Sequence, residues 1–203
     1  MTNEKMLQML KEIGLENGVT NINAYMKLKQ ALEEDIRIEV QKKKGTKSSD
    51  IQIIKRIVKC EKENPMFGKY HTFSMNGKDY KCFLEGHYVV GSENDLGYKA
   101  SENPFDLSKF FNMDMFDNIQ LKVDIVDLKT FIKTNKTKKN EKFIPYIIKT
   151  EEIEIGFNPQ FLLDTLEFCN TDTISVTTPI APAFIKSENM DKIGLVLPIH
   201  INK

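Results

Sequence analysis

Apolar positions along the chain switch between two spacings, and the switches divide it into elements. Over the first 35 residues they recur as on a helix: Met6, Leu7, Leu10, Ile13 and Leu15 form one stripe, and Gly14 and Gly18 punctuate it. A second stripe runs through Ile22, Tyr25, Met26, Leu28, Ala31 and Leu32, with Asn21 or Asn23 as its cap. Alternation at Ile36, Ile38 and Val40 then predicts a strand, and a loop rich in Lys, Ser and Gly follows over 42–49.

Beyond that loop one order recurs three times: a helix, then a hairpin. The first helix has Ser49 or Asp50 as cap and Ile51, Ile54, Ile57 and Val58 as its apolar face, and Pro65 and Gly68 end it. Strands are predicted over 70–75 and 80–90, joined at Asn76-Gly77, the preferred two-residue hairpin turn. The interval 91–118 holds apolar patches at 105–111 and 113–116, which predicts a packed connector. The second copy comprises a strand over 119–123, a helix through Val126, Leu128, Phe131 and Ile132, and strands over 143–148 and 153–157. In the third, Asn158 caps a helix with Pro159 at its first position, Phe161, Leu162, Leu163, Leu166 and Phe168 form its apolar face, and strands follow over 174–178, 183–186 and 195–201. The class this predicts is α+β: repeated helix plus antiparallel hairpin units, with helices on one face of the sheets and a helical N-terminal extension. The expected divisions are 1–45, 46–116 and 117–203.

A chain of 203 residues, 40% hydrophobic, can bury a core without disulfides or a structural metal. Cys60, Cys82 and Cys169 are widely spaced and odd in number, which suggests buried free thiols in a reducing compartment. No apolar run reaches the roughly 18 residues of a membrane span, so the expected location is the cytoplasm, without membrane attachment. His71, His87 and His200 lack ligand spacing with the cysteines, and glycine-rich phosphate loops and nucleophile motifs are absent. Glu151, Glu152 and Glu154 alternate as a solvent face would. The expectation is therefore no metal, no cofactor and no catalytic residue.

Residues 155–166, Ile-Gly-Phe-Asn-Pro-Gln-Phe-Leu-Leu-Asp-Thr-Leu, resemble the segment that opens the last helix of the bacterial β sliding clamp, the processivity factor of DNA polymerase III. Ala-Pro-Ala-Phe-Ile-Lys at 181–186 and Leu-Val-Leu-Pro-Ile-His-Ile at 195–201 follow in the family's order, the latter where the family has a hydrophobic-Pro-hydrophobic-basic-Leu ending. Upstream, 123–134 is similar to the first helix of the same domain, and Leu84-Glu-Gly-His-Tyr-Val89 looks like the family's Asp-Gly-His-Arg strand end. The resemblance lies mainly within 119–201, and the first 45 residues match nothing in the family.

Read on their own, these motifs make Asn158 a helix cap and Pro198 the break in a terminal strand, and an interrupted edge beside apolar side chains can dock an extended peptide. The resemblance implies a DNA-clamp fold and a non-enzymatic role in replication through a hydrophobic cleft that receives short peptides from replication and repair proteins. The positions that match the cleft are Asn158, Phe161, Ile180, Pro182, Leu195, Leu197, Pro198 and Ile199, joined by Gly86 and His87 from the upstream match. The same apolar residues also suit a plain core.

A clamp also implies helices that contact duplex DNA through phosphates, without sequence specificity. The formal net charge is zero, yet residues 42–62 hold eight basic and two acidic side chains, and residues 120–150 hold eight against three. Lys55, Arg56, Lys59 and Lys62, with Lys129, Lys133 and Lys136, form the candidate phosphate-facing stripe, although such runs also occur as solvated faces. Residues 151–175 carry six acids and no base, which disfavours DNA at the third helix. The family's ring has three domains per chain, each with two copies of the helix-hairpin unit. Three copies would thus need an unusual homo-oligomer, and the alternative is a regulatory or interaction module of clamp-like fold that does not encircle DNA.

Overall fold

The computed structural model describes residue 6 and residues 22–43, 48–62, 64–111, 113–116, 118–135 and 144–201. The chain divides into two compact units, residues 1–51 and 52–203. The described part of the first unit is dominated by helix α1, Ile22–Lys43. The strand expected at Ile36, Ile38 and Val40 is part of this helix, because Leu32, Ile36 and Val40 also fit the four-residue helical spacing. The stripe from Met6 to Leu15 lies, apart from Met6, outside the described residues.

The second unit is built on two antiparallel sheets. Strands β1 (His71–Met75), β2 (Lys78–Glu85), β3 (Tyr88–Ser92), β4 (Ile119–Lys122), β7 (Thr173–Val176), β8 (Ala183–Lys186) and β9 (Lys192–Val196) form one sheet in the order β1-β2-β3-β9-β8-β7-β4. Strands β5 (Tyr146–Lys149) and β6 (Glu154–Phe157) form the other. Its helices are α2 (Ser48–Lys59), which carries the boundary between the units, α3 (Ile125–Thr134) and α4 (Pro159–Cys169). Residues from both 46–116 and 117–203 share the seven-stranded sheet, because β3 pairs with β9 in the register Val90 to Gly194.

Alternation along each strand sends side chains to two separate cores. Phe83, Tyr88, Val90, Ala183, Ile185 and Val196 join Ile53, Ile54 and Ile57 of α2, Leu128 of α3 and Leu162 and Leu166 of α4 on the helical face. Their sequence neighbours Cys82, Leu84, Val89, Phe184 and Leu195 point the other way, into a core completed by Leu107, Phe111 and Phe116 of the connector. The connector is packed as its apolar pattern predicts. The sheet is therefore buried on both faces, and helices cover only one.

Helix α4 lies closest to the sheet because Gly194 gives it room: a Cβ there would stand 2.2 Å from Thr165 Cγ2 and 3.4 Å from the Val89 carbonyl. The Asn158 side chain accepts hydrogen bonds from the amides of Gln160 and Phe161, with Pro159 at the first turn, as its sequence predicts.

Two further strand predictions need correction. The single strand expected over 80–90 is two strands, β2 and β3, because Gly86 at φ +30° and His87 reverse the chain between Glu85 and Tyr88. The terminal strand expected over 195–201 ends as β9 at Val196. The chain then leaves the large sheet: the Leu197 amide donates to the His87 carbonyl at 2.9 Å, and the Ile199 amide donates to the Gly156 carbonyl of β6 at 2.8 Å.

Candidate docking cleft

Four chain segments from distant parts of the sequence meet at the β2–β3 turn. The turn presents Gly86 and His87, β9 ends there with Leu195 and Leu197, and a 3-10 turn at Pro65–Gly68 and the connector at 105–110 close the sides. The enclosed cavity is about 280 Å³. Met66, Phe67, Phe105 and Phe110 form its outer walls, with Leu84, Leu107 and Val89 beneath, so its lining is overwhelmingly apolar. Phe105 and Phe110 stack at 5.8 Å and remain part-exposed. Such a hollow suits one large apolar side chain.

The N-terminal turn of α4 flanks this cavity. Phe161 stacks on Tyr88 at 4.6 Å and on His87 at 6.0 Å. Burial, with the nearby Asp164 carboxylate, pushes the Tyr88 phenol well above its ordinary pKa, so the ring packs as a neutral aromatic. Asn158 contributes by capping the helix that holds Phe161.

The two walls are tied together from below by His71, which is fully buried. Its Nδ1 accepts the Phe105 amide at 2.9 Å, and its Nε2 lies 3.1 Å from the Met66 carbonyl. An amide can only donate and a carbonyl can only accept, so Nδ1 is bare and Nε2 carries the proton. Burial lowers the His71 pKa from its ordinary value, in keeping with this neutral ring.

A second hollow of about 720 Å³ opens beyond Pro198. Ile180, Pro198, Ile199 and Ile201 line it, with Glu152, Glu154 and His200 among the polar residues of its wall. Leu197 and Pro198 are thus consecutive residues facing two adjacent hollows. Of the ten positions expected in a cleft, Gly86, His87, Leu195 and Leu197 line the first hollow, and Ile180, Pro198 and Ile199 the second. Phe161 stacks against one of the first set, His87, and against Tyr88 beside it, and Pro182, half-buried, leads into β8. The walls Met66, Phe67, Phe105 and Phe110 were not foreseen, and the only sequence signal for them was the apolar patch at 105–111.

The candidate DNA-facing residues are placed unevenly. Arg56 of α2 turns to α4, where its Nε donates to Asp164 Oδ2 at 2.9 Å and its second guanidinium nitrogen to Oδ1 at 2.5 Å. Gln160 Nε2 adds a third donor to Asp164 at 2.7 Å. Burial raises the Asp164 pKa despite these donors, and the carboxylate raises that of Arg56 against the same penalty. A guanidinium offers only donors, so the two-pronged geometry requires a charged carboxylate. Lys129 of α3 pairs with Glu167 of α4 at 2.8 Å. The acids of α4 are thereby matched by bases of its neighbours, which is the reason an acidic third helix is tolerated. Lys59 and Lys133 are exposed and Lys55 half-buried, while Lys136 and the Lys62 side chain lie outside the described residues.

Among the described residues no three His, Cys, Asp or Glu side chains gather as a metal site, and no helix is long and apolar enough to cross a membrane.

A profile of the DNA polymerase III beta subunit, C-terminal domain, matches residues 112–200, which begin just before β4 and run past Ile199. No curated protein matches the chain. Among solved structures, the Caulobacter crescentus beta sliding clamp superposes with a TM-score of 0.51 at 12% identity, over 75% of this chain and 64% of that one. The sliding clamp of Bartonella birtlesii, solved bound to griselimycin, gives 0.41 at 18% identity over 61% and 42%. The DNA polymerase III beta subunit of Thermotoga maritima gives 0.36 at 16% over 63% and 43%. This chain spans less than two thirds of the length of each. Residues 112–200 accordingly are similar to the C-terminal domain of the DNA polymerase III beta subunit, and the chain has a fold of the sliding-clamp type.

Proposed function

We propose that the chain is a non-enzymatic, clamp-type factor of DNA replication that docks partner proteins through the cleft around Leu197 and Phe161. The observation that carries this reading is the 280 Å³ apolar hollow at Gly86, His87, Leu195 and Leu197, the same positions that match the family's peptide cleft in sequence. Its occupant is an extended peptide from a replication or repair protein, with a large apolar side chain in the hollow and its backbone along the end of β9. The segment after Val196 suits this, because Pro198 has no amide hydrogen and the chain leaves the large sheet there.

The test is fluorescence anisotropy with a labelled peptide carrying the clamp-binding motif of a bacterial replicative polymerase. Leu197→Asp and Phe161→Asp place a charge against an apolar wall and are expected to weaken binding by about 100-fold or more. Equal affinity in the variants, or no binding by the parent, refutes the reading.

The second reading is a partner-binding module that does not encircle DNA. It is favoured by the engagement of Arg56 and Lys129 with Asp164 and Glu167, which takes two cations out of the candidate phosphate stripe. Light scattering and salt-dependent DNA binding separate the two. A closed homo-oligomer with DNA affinity that falls steeply with salt supports a ring, and a monomer without DNA affinity supports the module.

A further inference from the structure

We infer that His71 is a positioning residue of the cleft: as a neutral ring it ties the Met66 wall to the Phe105 wall, and uptake of a proton at Nδ1 releases Phe105. The inference rests on the docking reading for its functional meaning and on two hydrogen bonds for its mechanism. Nδ1 is the acceptor of the Phe105 amide at 2.9 Å, and Nε2–H is the donor to the Met66 carbonyl at 3.1 Å. The Phe105 bond spans 34 residues and the Met66 bond five, and both end at backbone atoms of residues that line the hollow. A proton added to Nδ1 points directly at the Phe105 N–H, and two donors cannot share one bond. The Met66 bond survives protonation, since Nε2 still donates. The release is therefore one-sided, and it falls on the segment that carries both Phe105 and Phe110.

The surroundings offer the imidazolium little compensation. Cys82, opposite His71 on β2, stays a neutral thiol because burial raises its pKa. Lys81, the next residue of β2, carries a positive charge and pairs with Asp95 at 3.4 Å. The turn Pro65–Gly68 holds no titratable side chain. Asp106, beside Phe105, is at the surface, where hydrogen bonds from Ser108 hold its carboxyl below the ordinary value. Lowering of the His71 pKa by burial agrees with a ring that resists charging while the cleft is closed.

The sign follows from linkage. The closed cleft binds one proton fewer than the released one, so docking is at full strength above the ordinary histidine pKa of about 6.5 and fades as pH falls through the lowered value. Below that midpoint the peptide Kd rises about tenfold per pH unit. His87 and His200 sit in the walls of the two hollows and are kept, so the measurement compares the parent with His71→Asn, in which only His71 differs.

Two readouts test the inference. The first is the Kd of the labelled clamp-motif peptide between pH 8 and pH 4.5, in the parent and in His71→Asn. The tenfold-per-unit rise is expected in the parent and is expected to be lost in His71→Asn, and a profile unchanged by His71→Asn overturns the inference. The second needs neither peptide nor variant: in the parent protein, NMR follows the His71 ring and the Phe105 amide through the same titration. The Phe105 amide is expected to shift and to exchange faster at the midpoint of the His71 ring, and an amide that does not move while His71 titrates overturns the inference even if His71→Asn fails to fold. Absence of peptide binding at pH 8 counts against the docking reading alone, and the amide titration still decides whether His71 holds the wall.

Discussion

The Arg56–Asp164 pair allows a sharp test, because its two members are buried to very different degrees: the Asp164 side chain is 1% exposed and that of Arg56 is 43%. Arg56→Ala strips the carboxylate of both guanidinium bonds and leaves it buried with Gln160 as its remaining described donor. Stranding a buried charge in this way costs about 3–5 kcal/mol, and the exposed side of the pair draws the expectation to about 3 kcal/mol. Asp164→Ala leaves a half-exposed guanidinium that can turn to water, so the loss is that of ordinary hydrogen bonds, about 1–2 kcal/mol. The double variant Arg56→Met/Asp164→Leu replaces the pair by apolar volume between α2 and α4 and is expected within about 1 kcal/mol of the parent. Urea unfolding at pH 7 reads all three, with comparison valid where the m-values agree. The reasoning is refuted if Arg56→Ala costs no more than Asp164→Ala, since the asymmetry follows from burial alone. It is also refuted if Arg56→Ala leaves stability intact and weakens DNA binding, which would make Arg56 a phosphate ligand.

Two further variants probe how α4 is held. Asn158→Ala removes the acceptor for two amides of the first turn and is expected to lower stability by about 1 kcal/mol in urea unfolding, with a measurable loss of peptide affinity through Phe161. Gly194→Ala drives a Cβ into Thr165 Cγ2 and is expected to lower stability by about 1–3 kcal/mol, and Thr165→Ser, which lacks that methyl group, recovers most of the loss in the double variant.

Much of the fold could be read along the chain, because the signals were local. Asn158-Pro159 marks the start of α4, Asn76-Gly77 marks a hairpin, and β8 falls on the residues its apolar run predicts. The errors also have local causes. A two-residue turn shifts the phase of alternation by one, so Leu84 shares a face with Val89 and not with Tyr88, and the apolar residues on either side of Gly86 and His87 hide the reversal. Residues 32, 36 and 40 satisfy a helical spacing, while 36, 38 and 40 satisfy a strand's. The cleft was legible only where the family motif named its positions. Its walls at Met66 and Phe105 are brought together by His71, and Arg56 meets Asp164 across 108 residues, contacts that no local pattern encodes.

The pairing of β3 with β9 has a consequence for the order in which the chain is made. Strands β1 to β3 leave the ribosome as a meander whose last member lacks its neighbour, and that neighbour is roughly 100 residues away, or about 5–20 seconds of synthesis. During this interval Tyr88, Val89 and Val90, all buried in the finished protein, sit on an open strand edge, the kind of edge that invites pairing with other chains. Completion of the large sheet thus waits for β9, and it is joined to the placement of Leu197 and Ile199. The nascent chain acquires its cleft in the same step that closes this open edge.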